Sequence, residues 1–195
     1  MKVRHAIAKF VAPKLYADMV DVERLISGVP RPMTTYLKTH LNARGLVGVE
    51  IGTAAGNNAL SMLRELPIKK LFLVDPYVPY IEHGRRLSYV GAERIAKDRL
   101  GRFSEAIFVK KSSDDALADV TEPLDFVYID GNHDYDCVKR DITNYYPLVK
   151  PGGVLGGHDY LPRPVLEVCD AVDDFVQQHR HVEFHNILPD WWIIK

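Results

Sequence analysis

Two copies of the tripeptide His-Asp-Tyr, at residues 133–135 and 158–160, each follow a short apolar run. Histidine and aspartate side chains can transfer protons or hold a metal ion. His133 lies three residues beyond Asp130, the last residue of the run LDFVYID (124–130), whereas His158 directly follows the run GGVLGG (152–157). The two copies are therefore not in equivalent register and do not indicate an internal repeat. Because the carboxyl ends of parallel strands meet at one edge of a sheet, we expect both copies to reach one site.

A second set of candidate residues follows the first apolar run, in the stretch VEIGTAAGNNALSM (49–62). Gly52 and Gly56 let the backbone turn tightly and approach a ligand, and the following helix offers free N–H groups. Asp75 ends the next apolar run, at a position where a carboxylate can accept hydrogen bonds from both hydroxyls of a ribose. The pattern predicts a nucleoside or nucleotide ligand, although a plain tight turn would also explain the glycines.

Two features argue against a dinucleotide as this ligand. The fingerprint GxGxxG would need glycine at the positions of Ala54 and Asn57. Glu50 lies within the strand just before the turn, where its carboxylate would repel a pyrophosphate but can help to hold a cationic amino-acid group. A nicotinamide-dependent oxidoreductase remains an alternative on these residues, as does a cofactor-binding module without catalytic activity.

The composition is typical of an ordinary globular domain. The 195 residues are 47% hydrophobic and 26% charged, with a formal net charge of -1. This balance gives no general preference for nucleic acid or for an acidic membrane, so neither is expected as a partner. Cys137 and Cys169 are too far apart for a CxxC motif, and there is no secretory or membrane-spanning apolar run, which predicts a cytoplasmic protein.

Five apolar runs alternate with segments of helical period, which predicts an α/β fold: a doubly wound, mostly parallel sheet with helices on both faces. The predicted strands cover 46–51, 71–75, 106–110, 124–130 and 152–157, and the helices between them cover 57–66, 90–100, 113–120 and 135–149. After a helix at 165–179, two further strands (182–188 and 191–195) are separated by only Pro189 and Asp190. Such a short link predicts a C-terminal antiparallel hairpin and a total of seven strands.

Residues 1–44 are predicted to form a helical N-terminal cap on the domain of residues 45–195. Within the cap, DVERLISG (21–28) and MTTYLKTHL (33–41) have helical patterns. The first 20 residues are mildly basic and amphipathic, which is typical of a membrane-surface helix but also of a domain cap or a dimer contact. We favour the cap, with a homodimer formed through the N-terminal helices.

Residues 45–195 resemble the class I S-adenosylmethionine-dependent methyltransferases. The first motif of that family is similar to Glu50, Gly52 and Gly56, and its second motif is similar to Asp75, which the family uses on the ribose. Its adenine-side motif is similar to KKSSDDAL (110–117). The segments LDFVYIDGNHDY and LVKPGG look like the fourth strand and the turn before the fifth, closest to small-molecule O-methyltransferases of the macrocin and catechol types.

The resemblance implies a Rossmann-like methyltransferase fold that binds S-adenosyl-L-methionine and transfers its methyl group to a hydroxyl of a small molecule, such as a sugar or a phenolic natural product. The residues that it places around the cofactor are Glu50, Gly52, Gly56, Asp75, Ser113, Asp114 and Asp130. Methyl transfer by direct displacement needs alignment of the reactants and help in deprotonating the hydroxyl.

Metal-dependent members of the family carry one acidic ligand after strand four and two oxygen ligands after strand five. Asp130, His158 and Asp159 occupy these positions. His158 departs from the pattern, because Mg²⁺ prefers oxygen ligands. Either a softer ion such as Mn²⁺ binds there, or no metal binds and His158 is the catalytic base.

His133 is the second candidate base, and Asp159 would support either histidine or bind the metal. The competing interpretation of His133 is an exposed loop residue before a helix that Asn132 or Asp134 caps. Tyr77, Tyr80 and Tyr89, in the long connection of residues 76–100, could stack on a ligand. Arg85 and Arg86 in the same connection either meet an anionic substrate or lie on the solvated face of a helix.

Overall fold

The computed structural model describes residues 29–41, 44–161 and 167–195. The predicted helix at 21–28 and the proposed dimer contact of the first 20 residues lie outside this part of the chain. The helices are α1 (Pro32–His40), α2 (Asn57–Glu65), α3 (Ala92–Leu100), α4 (Ser113–Ala116), α5 (Tyr135–Tyr145) and α6 (Val168–Gln178). The strands are β1 (Leu46–Ile51), β2 (Ile68–Val74), β3 (Tyr80–Glu82), β4 (Arg85–Leu87), β5 (Ala106–Val109), β6 (Leu124–Ile129), β7 (Val149–Gly157), β8 (Glu183–Ile187) and β9 (Asp190–Ile194).

Seven of these strands form one sheet in the order β5-β2-β1-β6-β7-β9-β8. The first five strands of this order are parallel, and β9 runs antiparallel to both β7 and β8. The predicted doubly wound fold with a C-terminal hairpin is therefore confirmed. The chain winds outward in opposite directions from β1 and β6, and ligands of such sheets bind at this switch point, beyond the carboxyl ends of the strands.

The apolar runs are buried on both faces because helices cover both sides of the sheet. Along β1, Val47, Val49 and Ile51 belong to one apolar cluster, whereas Leu46 belongs to the cluster on the other side. Side chains alternate between the faces of a strand. Glu50 therefore points to the same side as Leu46, towards α2.

Helix α1 packs on the main domain. Pro32 lies in its first turn, where the missing N–H is tolerated. Met33 and Leu37 are fully buried in the same apolar cluster as Met62 of α2 and Trp192 of β9. None of the described helices is long and apolar enough to cross a membrane.

The connection after β2 differs from the prediction for Arg85 and Arg86. Both residues are exposed and lie in β4, which pairs with β3 as a separate two-stranded hairpin. The interpretation of this pair as the face of a helix is wrong. Gly84 at the turn has a φ of 70°, which ends any helical course there and favours a hairpin.

We expect Gly156→Ala to destabilise the fold by at least about 2 kcal/mol, because there is no space for a methyl group between β7 and β9. A Cβ at this position would lie 2.2 Å from the carbonyl oxygen of Trp191 and 2.6 Å from Cβ of Trp192. Gly152→Ala is the control, since it adds strain at a φ of +77° but has nothing within 4 Å. Urea unfolding followed by circular dichroism measures both variants. Equal losses of stability would mean that strand packing does not limit this position.

Candidate active site

A cavity of about 820 Å³ lies along the carboxyl ends of the five parallel strands. The predicted site residues that line it are Gly52, Asp75, Ser113, Asp130, His133, His158 and Asp159. Glu50, Gly56 and Asp114 are not part of the lining. The two His-Asp-Tyr copies therefore do place their histidines at one cavity, as the parallel strand order requires.

His133 lies between three carboxylates. Its Nδ1 is 2.8 Å from Oε1 of Glu82, and its Nε2 is 3.0 Å from Oδ2 of Asp159 and 3.6 Å from Oδ1 of Asp130. Burial acts to lower the pKa of His133, but the three carboxylates outweigh it and raise this pKa to about 12. The side chain is only 19% exposed, so the interpretation of His133 as an exposed loop residue is wrong.

The loop that carries His133 is docked on the β3–β4 hairpin. The Nδ2 group of Asn132 donates a hydrogen bond to the carbonyl of Ile81, and the backbone N–H of His133 donates to Glu82. Asp134 stands at the N-cap of α5, but its carboxylate accepts from the backbone N–H of His83 and makes no capping bond. The loop geometry therefore depends on the hairpin and not on capping of the helix.

Arg31 neutralises Asp130, one of the three carboxylates around His133. Its Nη1 donates to Oδ2 of Asp130 at 2.7 Å and to the hydroxyl of Tyr128 at 2.9 Å. The Tyr128 hydroxyl donates in turn to Asp190, which also accepts from the backbone N–H of Met33. This chain of bonds fixes the start of α1 to the ends of β6 and β9.

Sequence reasoning missed Glu82 and Arg31. Glu82 contacts a residue 51 positions away, and Arg31 contacts a residue 99 positions away. Neither residue stands at the end of a core strand or in a recognisable motif. One indirect signal was present in the sequence. None of the predicted site residues supplied a positive charge beside Asp130 and Asp159, and none supplied a partner for the second ring nitrogen of His133.

His158 lies beside the carboxylates but is not equivalent to His133. Its Nδ1 is 3.3 Å from Oδ1 of Asp159 and 3.9 Å from Oδ1 of Asp130. Within the cavity lining, the compact group of possible metal ligands consists of Asp130, His133 and Asp159, whose ligand atoms lie within 4.8 Å of one another. This group differs from the predicted set, since it has His133 in the place of His158.

The glycine turn positions Glu50 next to the cavity. Glu50 is 2% exposed, and its Oε1 accepts a hydrogen bond from Nδ2 of Asn58. Its Oε2 and the Oδ1 of Asn58 are buried without a hydrogen-bond partner among the described residues. Burial raises the pKa of Glu50 to about 8. Asn58 itself lines the cavity, so its Oδ1 is a free acceptor at the wall, with the largely protonated carboxyl group of Glu50 behind it.

The two glycines have different roles. Gly52 has a φ of +86°, and a Cβ there would lie 2.1 Å from the carbonyl oxygen of Asp130, so only glycine allows β1 and β6 to approach each other at the cavity floor. Gly56 has a φ of +75° at the N-cap of α2, and its Cβ would lie 2.6 Å from the side chain of Leu100. Gly56 therefore permits the packing of α2 against α3.

Asp75 directly follows β2 and faces the cavity. Its Oδ2 accepts from the backbone N–H of Ala54 at 2.8 Å, and its Oδ1 accepts from the backbone N–H of Tyr77 at 2.7 Å. Each oxygen keeps a further lone pair for a ligand. The hydroxyl of Tyr77 is buried and has no hydrogen-bond partner in the part of the chain that is described.

The predicted adenine-side residues, Ser113 and Asp114, separate in the structure. Ser113 lines the cavity, and its hydroxyl donates to Oδ1 of Asp141 at 2.5 Å. Asp114 lies outside the lining, where its carboxylate is 3.0 Å from Nε of Arg140 and accepts from Nδ2 of Asn144. The carboxylate beside Ser113 in the cavity is thus that of Asp141, a residue that the motif comparison did not single out.

A family model described as a methyltransferase domain matches residues 49–160, more than half of the chain. The chain belongs to this family of methyltransferase domains. The matched range begins in β1, contains the glycine turn and Asp75, and ends at the second His-Asp-Tyr copy. The resemblance to the methyltransferases is confirmed, and nothing among the related proteins supports the nicotinamide-dependent alternative.

The related proteins include one curated sequence and many solved structures. The uncharacterized protein R132 of Acanthamoeba polyphaga mimivirus is 32% identical over 141 residues, which are 67% of this chain and 59% of that protein. This chain therefore spans less than two thirds of the length of that relative.

Three solved structures illustrate the range of the fold. The O-methyltransferase NovP has a TM-score of 0.63 at 18% identity, covering 84% of this chain and 79% of NovP. An rRNA methylase from Streptococcus thermophilus has a TM-score of 0.61 at 15% identity, covering 85% and 95%. The methyltransferase MycE, in complex with Mg and SAH (S-adenosylhomocysteine), has a TM-score of 0.56 at 16% identity, covering 84% and 48%. At these identities the similarity establishes the fold alone.

We expect Glu50→Gln to stabilise the free protein, increasingly so as the pH rises from 5 to 8. The ordinary pKa of a glutamate is 4.5, so Glu50 ionises in the unfolded chain over this range but stays protonated in the folded protein, where its pKa is about 8. Each pH unit in this window therefore costs the wild-type protein up to about 1.4 kcal/mol, and glutamine removes this cost.

Urea unfolding at pH 5 and at pH 8 measures this difference in stability. Glu105→Gln is the matched control, because the carboxylate of Glu105 accepts a hydrogen bond from the neutral hydroxyl of Ser104. If Glu50→Gln and Glu105→Gln showed the same pH dependence, burial of Glu50 would not be the source of the effect.

Proposed function

We propose that this protein is an S-adenosylmethionine-dependent O-methyltransferase that acts on a hydroxyl group of a small molecule. One observation carries the proposal: a single cavity contains both Asp75, at the end of β2, and the cluster of Asp130, His133 and Asp159 beyond β6 and β7. Asp75 suits the ribose of a nucleoside. The cluster suits the activation of a hydroxyl within the same cavity.

The residues around Glu50 fit the methionine end of S-adenosylmethionine. Oδ1 of Asn58 and Oε2 of Glu50 are buried without partners, and an ammonium group would donate to both of them once its positive charge has displaced the proton of Glu50. The unpartnered hydroxyl of Tyr77, a residue of the cavity lining, offers a further donor or acceptor. When bound, S-adenosylmethionine supplies a methyl group on a sulfonium sulfur, and an oxygen nucleophile attacks the carbon of this methyl group directly.

The cluster beyond β6 and β7 fits a divalent cation. Asp130, Asp159 and Nε2 of His133 would hold the ion, which would take the place of the proton on Nε2. Glu82 binds the other ring nitrogen of His133, as carboxylates commonly do for metal-binding histidines. Two carboxylates and one imidazole suit Mn²⁺ better than Mg²⁺. Such an ion would lower the pKa of an acceptor hydroxyl.

His158 is the proposed catalytic base. It lies outside the donor group but lines the same cavity beside Asp159. The Nδ1 of His158 lies 3.3 Å from Oδ1 of Asp159, and its Nε2 lies 4.0 Å from Oδ1 of Asp190, so carboxylates orient both ring nitrogens. His158 would accept the proton of the hydroxyl, while Arg31 holds Asp130 in place.

The rest of the cavity suits a small acceptor with a ring. The lining includes three prolines, Pro30, Pro32 and Pro189, and three tyrosines, Tyr77, Tyr80 and Tyr89. Sugar and phenol rings pack on such surfaces. The two arginines of the lining, Arg31 and Arg140, are paired with aspartates, so the cavity offers no free basic stripe for a nucleic acid.

We expect calorimetry to show binding of S-adenosylhomocysteine to the wild-type protein and at least about tenfold weaker binding to Asp75→Asn. The amide removes the charge and places an N–H₂ group against one of the backbone donors, Ala54 or Tyr77. Asp98→Asn, on the exposed face of α3, is the matched control and should bind as the wild type does. No binding by the wild-type protein at millimolar ligand would refute the proposed function.

We expect Mn²⁺ to bind the wild-type protein in calorimetry without any other ligand, and Asp159→Asn to weaken this binding at least about tenfold. His158→Gln should retain Mn²⁺ binding but lose methyl transfer, because the glutamine cannot act as a base. A chelator should stop transfer by the wild-type enzyme. Loss of Mn²⁺ binding in His158→Gln, or full activity in excess chelator, would contradict this assignment of roles.

A further inference from the structure

The cavity has an apolar rim, formed by Val29, Val78 and Tyr89. These three side chains belong to the cavity lining, and yet they are 54%, 55% and 56% exposed. A side chain that lines a cavity and is also more than half exposed lies where the cavity opens to solvent. Apolar side chains grouped at such an opening are typical of a ligand-binding surface, because their contact with water is unfavourable until a ligand covers them.

One side of the rim is joined to the proposed reaction centre by the start of α1. Val29 comes two residues before Arg31, whose Nη1 lies 2.7 Å from Oδ2 of Asp130. Pro30 and Pro32, on either side of Arg31 in the chain, also line the cavity. This part of the lining is therefore apolar except for a guanidinium that is already paired.

The other side of the rim belongs to residues 76–91, the segment that contains β3 and β4. This segment begins after β2 and reaches the loop after β6, where Glu82 binds His133. Since β1 lies between β2 and β6 in the sheet, the segment passes over the carboxyl end of β1. Val78 and Tyr89 thus belong to a segment that spans the cavity and contacts the proposed reaction centre.

The surface of the rim suits an aromatic ring better than a sugar ring. A sugar carries several hydroxyls, and each one that is removed from water needs a hydrogen-bond partner. The side chains of Val29 and Val78 offer none. The rings of Tyr80 and Tyr89, whose centroids are 6.4 Å apart, offer faces and edges for a further aromatic ring.

The chemistry of proton transfer favours the same class of acceptor. A phenol hydroxyl has an ordinary pKa of about 10, as the tyrosine side chain does. The pKa of an aliphatic hydroxyl lies several units higher, towards the value of about 16 for water. A histidine base, with an ordinary pKa of about 6.5, is much closer to the phenol. Deprotonation by His158 therefore costs far less free energy for a phenol than for a sugar hydroxyl.

We infer that the acceptor is a phenol with an apolar body, and not a sugar, and that Val78 and Tyr89 contact the part of this body that extends out of the cavity. The inference rests on the proposed function, because it assumes that the hydroxyl lies beside His158. A phenol in this position covers the rim and removes apolar surface from water, which stabilises the complex in proportion to the area covered.

Calorimetry of the protein saturated with S-adenosylhomocysteine, in a buffer with Mn²⁺, tests the class of acceptor. The probes are phenol, 4-phenylphenol and methyl α-D-glucopyranoside. We expect 4-phenylphenol to bind at least about tenfold more tightly than phenol, because its second ring covers the rim. The glucoside should not bind at concentrations of 4-phenylphenol that saturate the protein. Tighter binding of the glucoside, or no binding of either phenol, would overturn the inference.

Val78→Ser tests the rim itself, and Val90→Ser is the matched control. The two substitutions are chemically identical, and Val90 is 92% exposed but does not line the cavity. Val78→Ser should bind 4-phenylphenol at least about threefold more weakly than the wild type and bind phenol as the wild type does. Val90→Ser should bind both phenols as the wild type does. Equal losses in the two variants would overturn the inference.

Equal binding of the two phenols by the wild-type protein would mean that another part of this chain, or a second protein, covers the rim, and this result would also overturn the inference. The proposed function has a separate check in the same titrations. Failure of the wild-type protein to bind S-adenosylhomocysteine would refute the proposed function. Binding of S-adenosylhomocysteine without the expected preference among the probes would refute the inference alone.

Discussion

The structure depends on the compensation of negative charge beyond β6 and β7. Asp130 and Asp159 are brought together because parallel strands β6 and β7 are neighbours and both end at the same edge of the sheet. Two carboxylates that are largely removed from water require nearby cations. His133 and Arg31 supply the charge, each within about hydrogen-bonding distance of one of the aspartates. Peripheral elements are thereby fixed to the sheet: Arg31 positions α1, and Glu82 positions the β3–β4 hairpin through His133.

Two other buried carboxylates, Glu50 and Asp141, lack this compensation of charge. Neither has a direct cationic partner, and burial raises the pKa of both. Both carry hydrogen bonds from a neutral side chain on one oxygen, Asn58 and Ser113 respectively. Asp130 and Asp159 lie beyond β6 and β7, whereas Glu50 lies at the β1 wall and Asp141 lies at the β5 end. This division suits a site in which a ligand with donor groups occupies one side and proton transfer occurs on the other.

The sheet and the main positions of the site could be predicted because they follow from short-range patterns. Near-continuous apolar runs are typical of parallel strands covered on both faces, and residues that end such runs must share one edge. This was sufficient for Asp75, Asp130 and Asp159. It was not sufficient for Asp114, since a residue in a four-residue helix can face either way, and Arg140 draws it out of the cavity. Asp141 could not be found either, because one buried acidic residue on a helix looks like any surface carboxylate in the sequence.

The β3–β4 hairpin links the two halves of the cavity, which no local pattern indicated. The segment that leads into the hairpin begins at Asp75, whose Oδ1 accepts from the backbone N–H of Tyr77. The hairpin itself contacts the loop of His133, where Asn132 donates to the carbonyl of Ile81. Glu82 binds both the ring and the backbone of His133. The position of the imidazole between Asp130 and Asp159 is therefore tied to a segment that starts at Asp75, the proposed ribose-binding residue. A displacement of the hairpin would withdraw Glu82 from His133, so the order of the cavity at Asp75 and the charge balance at Asp130 and Asp159 depend on the same short segment.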